Sequence, residues 1–136
     1  MSWRGLVLFL VLSLPAGCQQ SAPPIWYVPA DTALSAGEVE SRTARVLDDL
    51  GYQIESFDPK LALISTRWLH DSHLLSTRFQ VLVRLKQTEP YGVAVTVPRQ
   101  VHDGLRWIPD GEEERRRKEL VASLTARLAA RPEARP

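Results

Sequence analysis

The sequence predicts an α+β domain, an antiparallel sheet of about four strands with two helices packed on one face, in the order α-β-β-β-β-α. Three observations carry this. Residues 77–86 alternate apolar and polar with a period of two, the mark of a strand with one wet face. Two stretches, one on each side of the strand region, repeat their apolar residues with helical spacing. Short turn-forming segments separate the strand candidates, which suits antiparallel neighbours better than parallel ones.

The first helix begins at Ser35-Ala36-Gly37-Glu38, a capping box in which the Ser35 hydroxyl accepts from the Glu38 amide and Glu38 reaches back. Val39, Thr43, Val46, Leu47 and Leu50 then form one core-facing stripe, and Gly51 supplies the positive φ that ends it. Tyr52 to Phe57 is the first strand, and Asp58-Pro59-Lys60 turns the chain into a second from Leu61 to His70. The third runs from Thr77 to Lys86, with Phe79, Val81, Val83 and Leu85 facing the core and Leu82 alone breaking the polar side. Gln87-Thr88-Glu89-Pro90 links it to a fourth, Tyr91 to Val97.

Val101 to Pro109 reads as irregular. The second helix is expected from a cap at Asp110-Gly111-Glu112-Glu113, with acids at the positive end of its dipole. Glu112, Glu113 and Glu114 are spaced four residues before Arg116, Arg117 and Lys118, suiting a solvated helix face more than a partner patch. Leu120, Val121, Leu124 and Leu128 make its only apolar stripe, so its C-terminal half docks. Residues 35–130 therefore form one domain and 131–136 a disordered tail.

The start of the chain is of another kind. Arg4 precedes an apolar run from Leu6 to Leu14, and small residues follow, the pattern of a secretory signal peptide over residues 1–17. A bilayer span needs about 20 apolar residues, which this run does not supply. Leu14-Pro15-Ala16-Gly17-Cys18 resembles the bacterial lipobox through Ala16, Gly17 and Cys18, with proline where an aliphatic residue is usual. That resemblance implies cleavage after Gly17, lipid attachment to Cys18 and acylation of the new terminus. The competing reading is an ordinary secretory signal with a buried cysteine. Cys18 is the one cysteine of the chain, and thioether linkage would remove a free thiol from an oxidising compartment. Gln19 in place of aspartate implies, by the same resemblance, the outer membrane, with the domain facing the periplasm.

Residues 18–34 then read as a lipid-anchored tether, polar and proline-bearing at Gln19 to Pro24. Ile25-Trp26-Tyr27-Val28 interrupts it, either as an edge strand or flap over the core, or as a docking segment in which Trp26 and Tyr27 meet a partner. The balance of 17 Lys and Arg against 16 Asp and Glu, lowered by loss of Arg4, argues against nucleic acid as a partner.

Val39, Val46-Leu47, Leu50-Gly51-Tyr52, Ile54, Asp58, Ile64, Thr66 and Trp68 together resemble the helix, Gly-Tyr, strand, Asp, strand unit of the BamC-like helix-grip envelope lipoproteins. The family usually carries a glycine shortly before the isoleucine of the second strand; Leu61-Ala62-Leu63 stand here. The resemblance implies a fold of that kind and an envelope protein partner.

Signals for chemistry are sparse. His70, Asp71 and His73, with His102 and Asp103, offer metal-ligand types, but no Cys ligand or Glu base accompanies them, so polar loop histidines are expected and no metal or other cofactor. Ser72, His73 and Asp71 adjoin in sequence, which does not suit a catalytic triad. No phosphate loop or dinucleotide motif is present. Trp68 and Trp107 suit either core packing or a flat sugar- or peptide-binding platform. The expected function is a non-enzymatic protein-interaction or envelope-assembly module; the alternative is a small-ligand or peptidoglycan-binding lipoprotein, with a metal-dependent enzyme third.

Overall fold

A computed structural model describes residues 23–31, 33–71 and 76–133. Gly17 and Cys18, with the whole signal segment, lie outside the described residues, as do Ser72 and His73.

Helix α1 (Ala36–Asp49) starts at the expected capping box: the Glu38 amide donates to Ser35 Oγ at 3.2 Å and the Ser35 amide to Glu38 Oε2 at 2.8 Å. Val39, Thr43, Val46 and Leu47 are buried. Thr43 tolerates full burial because its hydroxyl donates to the Val39 carbonyl at 2.7 Å. Leu50, expected in the stripe, is the C-cap and is 46% exposed, since the chain leaves the helical path there. Gly51 follows at φ +84°, the left-handed conformation glycine adopts without steric cost.

Among the described residues the fold is α+β, with two helices and two antiparallel sheets. Strands β1 (Tyr27–Pro29), β2 (Ile54–Asp58) and β3 (Leu63–Thr66) lie in a six-stranded sheet. Strands β4 (Leu69–His70) and β5 (Thr77–Phe79) belong to a second sheet of four. β6 (Leu82–Leu85) and β7 (Val93–Thr96) return to the first, and β8 (Pro98–His102) and β9 (Trp107–Glu112) to the second. Helix α2 (Glu114–Leu128) and β10 (Ala130–Pro132) follow. The spatial orders are β10-β1-β7-β6-β3-β2 and β4-β5-β8-β9.

The four expected strands become ten among the described residues because two of them break in the middle and four more, β1, β8, β9 and β10, lie outside the expected four. The stretch Leu61 to His70 breaks at Arg67 and Trp68, just past the last β2–β3 contact, in which the Arg67 amide donates to the Gln53 carbonyl. The stretch Thr77 to Lys86 breaks at Gln80 and Val81; there Thr66, fully buried, accepts the Val81 amide on its Oγ1 at 3.0 Å. The first of these passes from the six-stranded sheet into the four-stranded one, and the second passes back. The alternation survives the break: Phe79, Val81, Val83 and Leu85 are all buried.

The β2–β3 turn is held by Asp58 Oδ1, which accepts from the Lys60 and Leu61 amides. Ala62 stands at φ +47°, a conformation that costs an L-residue about 1–2 kcal/mol.

Both helices pack on the six-stranded sheet and on each other. Leu47, Val81, Val83, Val93, Val97, Leu120 and Leu124 form the centre of the core. Helix α2 begins at Glu114, not at the expected cap: Asp110 and Gly111 belong to β9, and Glu113 caps without a side-chain bond. Arg99, on β8, draws Asp110 and Glu113 to itself, with its guanidinium 2.5 Å and 3.4 Å from their carboxylates. The expected i,i+4 pairs are replaced: Arg117 meets Glu114 at 2.7 Å, Arg115 meets Glu119 at 3.2 Å, and Arg116 lies over the Phe79 ring.

Both ends of the expected domain also move. Tyr27 to Pro29, expected within the tether, is an interior strand between β10 and β7 rather than an edge. Arg131 and Pro132, expected in a disordered tail, pair with Val28 and Tyr27. β1 crosses β7 where Gly92 leaves room for the Tyr27 backbone.

Candidate functional site

The second sheet has two unlike faces. Leu69, Thr77 and Phe79 point towards α2 and the core. Alternation then places His70, Arg78, Gln100, His102 and Trp107 on the opposite face. His70 pairs with Arg78 and Arg78 with Gln100, while His102 pairs with Trp107. The segment Val101 to Pro109, expected to be irregular, is the β8–β9 hairpin that brings Trp107 here.

Arg78 is the hub. Its Cζ lies 4.4 Å from the centre of the Trp68 ring and 4.2 Å from that of Trp107. Its Nε and Nη2 both donate to Gln100 Oε1, at 2.9 Å and 2.7 Å. His102 meets the Trp107 ring edge-on at 5.0 Å, and His70 meets it tilted at 5.6 Å. Each cation–π contact contributes about 0.5–1 kcal/mol at an exposed site and more as water is excluded. The group spans the sheet, so it fastens the strands on a face that no described helix covers.

The hairpin tip beside it is tightly built. Asp103 Oδ1 accepts from the Leu105 and Arg106 amides at 2.8 Å and 2.9 Å, and the Gly104 amide donates to His102 Nδ1 at 3.1 Å. Bonding first from Arg106 and then from Leu105 holds the Asp103 carboxyl below its ordinary pKa. The result is a rigid turn that displays Leu105 at 93% exposure.

His70 and His102, expected as loop residues, thus stand beside Trp107, and Trp68 and Trp107 share one cation rather than the core. His70 and His102 are spent on ring contacts, and among the described residues no three His, Cys, Asp or Glu side chains are placed to hold a metal ion. Asp71, half-buried, donates its amide to the Thr77 carbonyl at 3.0 Å. Trp26 and Tyr27 lie elsewhere. Tyr27 packs against the core, while Trp26 is half-buried in a shallow depression with Leu61, Arg84 and Lys86. Arg78, Gln100 and Leu105 were not foreseen as site residues. Arg78 carried one signal, a place on the wet side of an alternating strand between two tryptophan-bearing segments.

No protein-family model matches the chain, and no curated protein matches it.

Proposed function

We propose that the chain is a bacterial lipoprotein, held on the outer membrane by lipidated Cys18 and facing the periplasm, and that its domain is a non-enzymatic module that binds envelope proteins. The leader, Ala16-Gly17-Cys18 and Gln19 support the anchor. No described helix is long and apolar enough to cross a membrane. The resemblance of Val39 to Trp68 to the helix-grip envelope lipoproteins supports the compartment.

One observation carries the binding role: Trp68, Arg78 and Trp107 gather on an open sheet face beside the exposed Leu105. Tryptophan and arginine dominate binding hot spots, and a rigid loop displays its apolar tip at little entropic cost. Trp26, in its depression with Leu61, is a second contact point of the module. Paired tryptophans on an open face also favour a second reading, binding of peptidoglycan glycan strands.

Fatty-acid labelling tests the anchor: label enters the wild type and is lost in Cys18→Ser, together with recovery in the outer-membrane fraction. Retention of label by Cys18→Ser refutes the anchor. For the module, Trp68→Ala with Trp107→Ala abolishes crosslinking to envelope proteins from position 105 while the chain stays folded. Sedimentation with purified cell wall, lost in the same variant, would replace the module by the glycan reading.

A further inference from the structure

We propose that Arg78 is a carboxylate receptor, its free N–H edge binding an acidic side chain of a partner protein that also covers Leu105. The inference rests on the interaction reading above and names the partner's chemistry.

Arg99, Arg115, Arg117 and Arg127 each have a carboxylate within 4.0 Å, although Arg115 and Arg127 are largely exposed. Arg78 and Arg116 are the two half-buried arginines with no carboxylate within 4.0 Å among the described residues. Arg116 lies over Phe79 in a depression that Asp71, Glu113 and Glu119 also line, whereas Arg78 stands between two indoles on the open sheet face. Partial burial of a cation without a counter-charge is unfavourable, and a ligand that supplies the charge recovers the loss. Gln100 holds the guanidinium by a neutral amide; a glutamate there would have neutralised it.

The cation is also fixed in place. Two indoles flank it and Gln100 occupies the Nε side, so the outward N–H groups of Nη1 and Nη2 remain as a planar fork. Such a fork matches a carboxylate bidentately, and its orientation is set before the ligand arrives. Asp103 does not lie within 4.0 Å of the guanidinium, and its Oδ1 is engaged by two amides of its own turn. Leu105, displayed at the tip of the hairpin that carries Gln100 and Trp107, favours a protein surface with an apolar socket over a free anion.

The test uses the chain from Gln19 onward, which contains every described helix and strand. N-acetylglutamate N-methylamide is titrated while the Arg78 Nε–H resonance is followed by NMR, with the glutamine counterpart and inorganic phosphate as controls. The glutamate probe should produce a saturating shift in the range of about 1–10 mM, as befits one small charged group. Arg78→Lys keeps a cation over both rings but loses the fork, and should weaken binding about tenfold. No saturating shift, or an equal response to the glutamine probe or to phosphate, overturns the receptor. In cells, a photocrosslinker at position 105 should give protein adducts that disappear with Arg78→Gln. Adducts that persist, with no shift in the titration, overturn the receptor and leave the interaction reading intact. A saturating titration with no protein adducts overturns the protein occupant and the interaction reading together.

Discussion

Replacing Gly92 by alanine drives a β-carbon into the backbone of β1. That atom would overlap the Tyr27 carbonyl oxygen and lie 3.1 Å from the Tyr27 carbonyl carbon and 3.2 Å from Val28 Cγ2. No rotamer change relieves a clash with main chain, so β1 must back away from β7, to which Tyr27 and Val93 are its one registered pair. Overpacking of this kind costs about 1–3 kcal/mol. At roughly 4 °C or more per kcal/mol for a domain of this size, the melting temperature should fall by about 5–15 °C. β10 pairs with β1 alone, so the loosening should spread to it. Hydrogen exchange reads this at the Ala30 amide, bonded to the Ala129 carbonyl, and at the Glu133 amide, bonded to the Trp26 carbonyl. Gly37→Ala is the control: there a β-carbon meets Ser35 Oγ at 4.0 Å, and helix propensity should raise stability by about 0.5–1 kcal/mol. A Gly92→Ala melting temperature within about 2 °C of wild type, with unchanged protection at Ala30 and Glu133, would refute the close-approach reasoning.

Ala62→Gly should relieve the left-handed backbone at φ +47°; against the greater chain entropy of glycine, a net gain of up to about 1 kcal/mol is expected in a denaturant melt. Thr66→Val leaves the buried Val81 amide without its acceptor and should cost about 1–3 kcal/mol, with faster exchange of that amide. Asp103, with its carboxyl pKa lowered by the Arg106 and Leu105 amides, keeps the hairpin tip ordered above the ordinary aspartate range, and the bonds are lost as pH falls through the depressed value. The Leu105 and Arg106 amide shifts should therefore titrate below that range and stay flat in Asp103→Asn.

The first helix was legible because two independent signals agree there, a capping box and a stripe of buried residues. The alternation from Phe79 to Leu85 was legible because one side of that strand meets a core and the other does not. What escaped detection has physical reasons. The β1 segment is readable as an edge strand, but its interior place depends on β10, which is too short to show a period and carries a proline that reads as a breaker. The bends at Trp68 and Gln80 leave the inward face of each bent strand in the core, so nothing in the pattern marks them. The β8–β9 hairpin was missed because its apolar residue Trp107 packs on a cation and two histidines instead of a core. Trp68, Trp107, His70 and His102 stood out as residue types, but that they surround Arg78 depends on register across strands far apart in sequence. No local spacing encodes that.

The pairing of β1 with β10 ties one end of the described fold to the other. During synthesis the segment at Tyr27 emerges early and waits for Ala130 to Pro132, the last strand to appear. Until then β1 has only its brief contact with β7, and the sheet stays open on that side. Long-range closure of this kind slows folding and makes it depend on the emergence of β10. Ribosome-bound chains ending before Ala130 should therefore remain sensitive to protease at Trp26 and Tyr27, and acquire resistance only when the final strand is released.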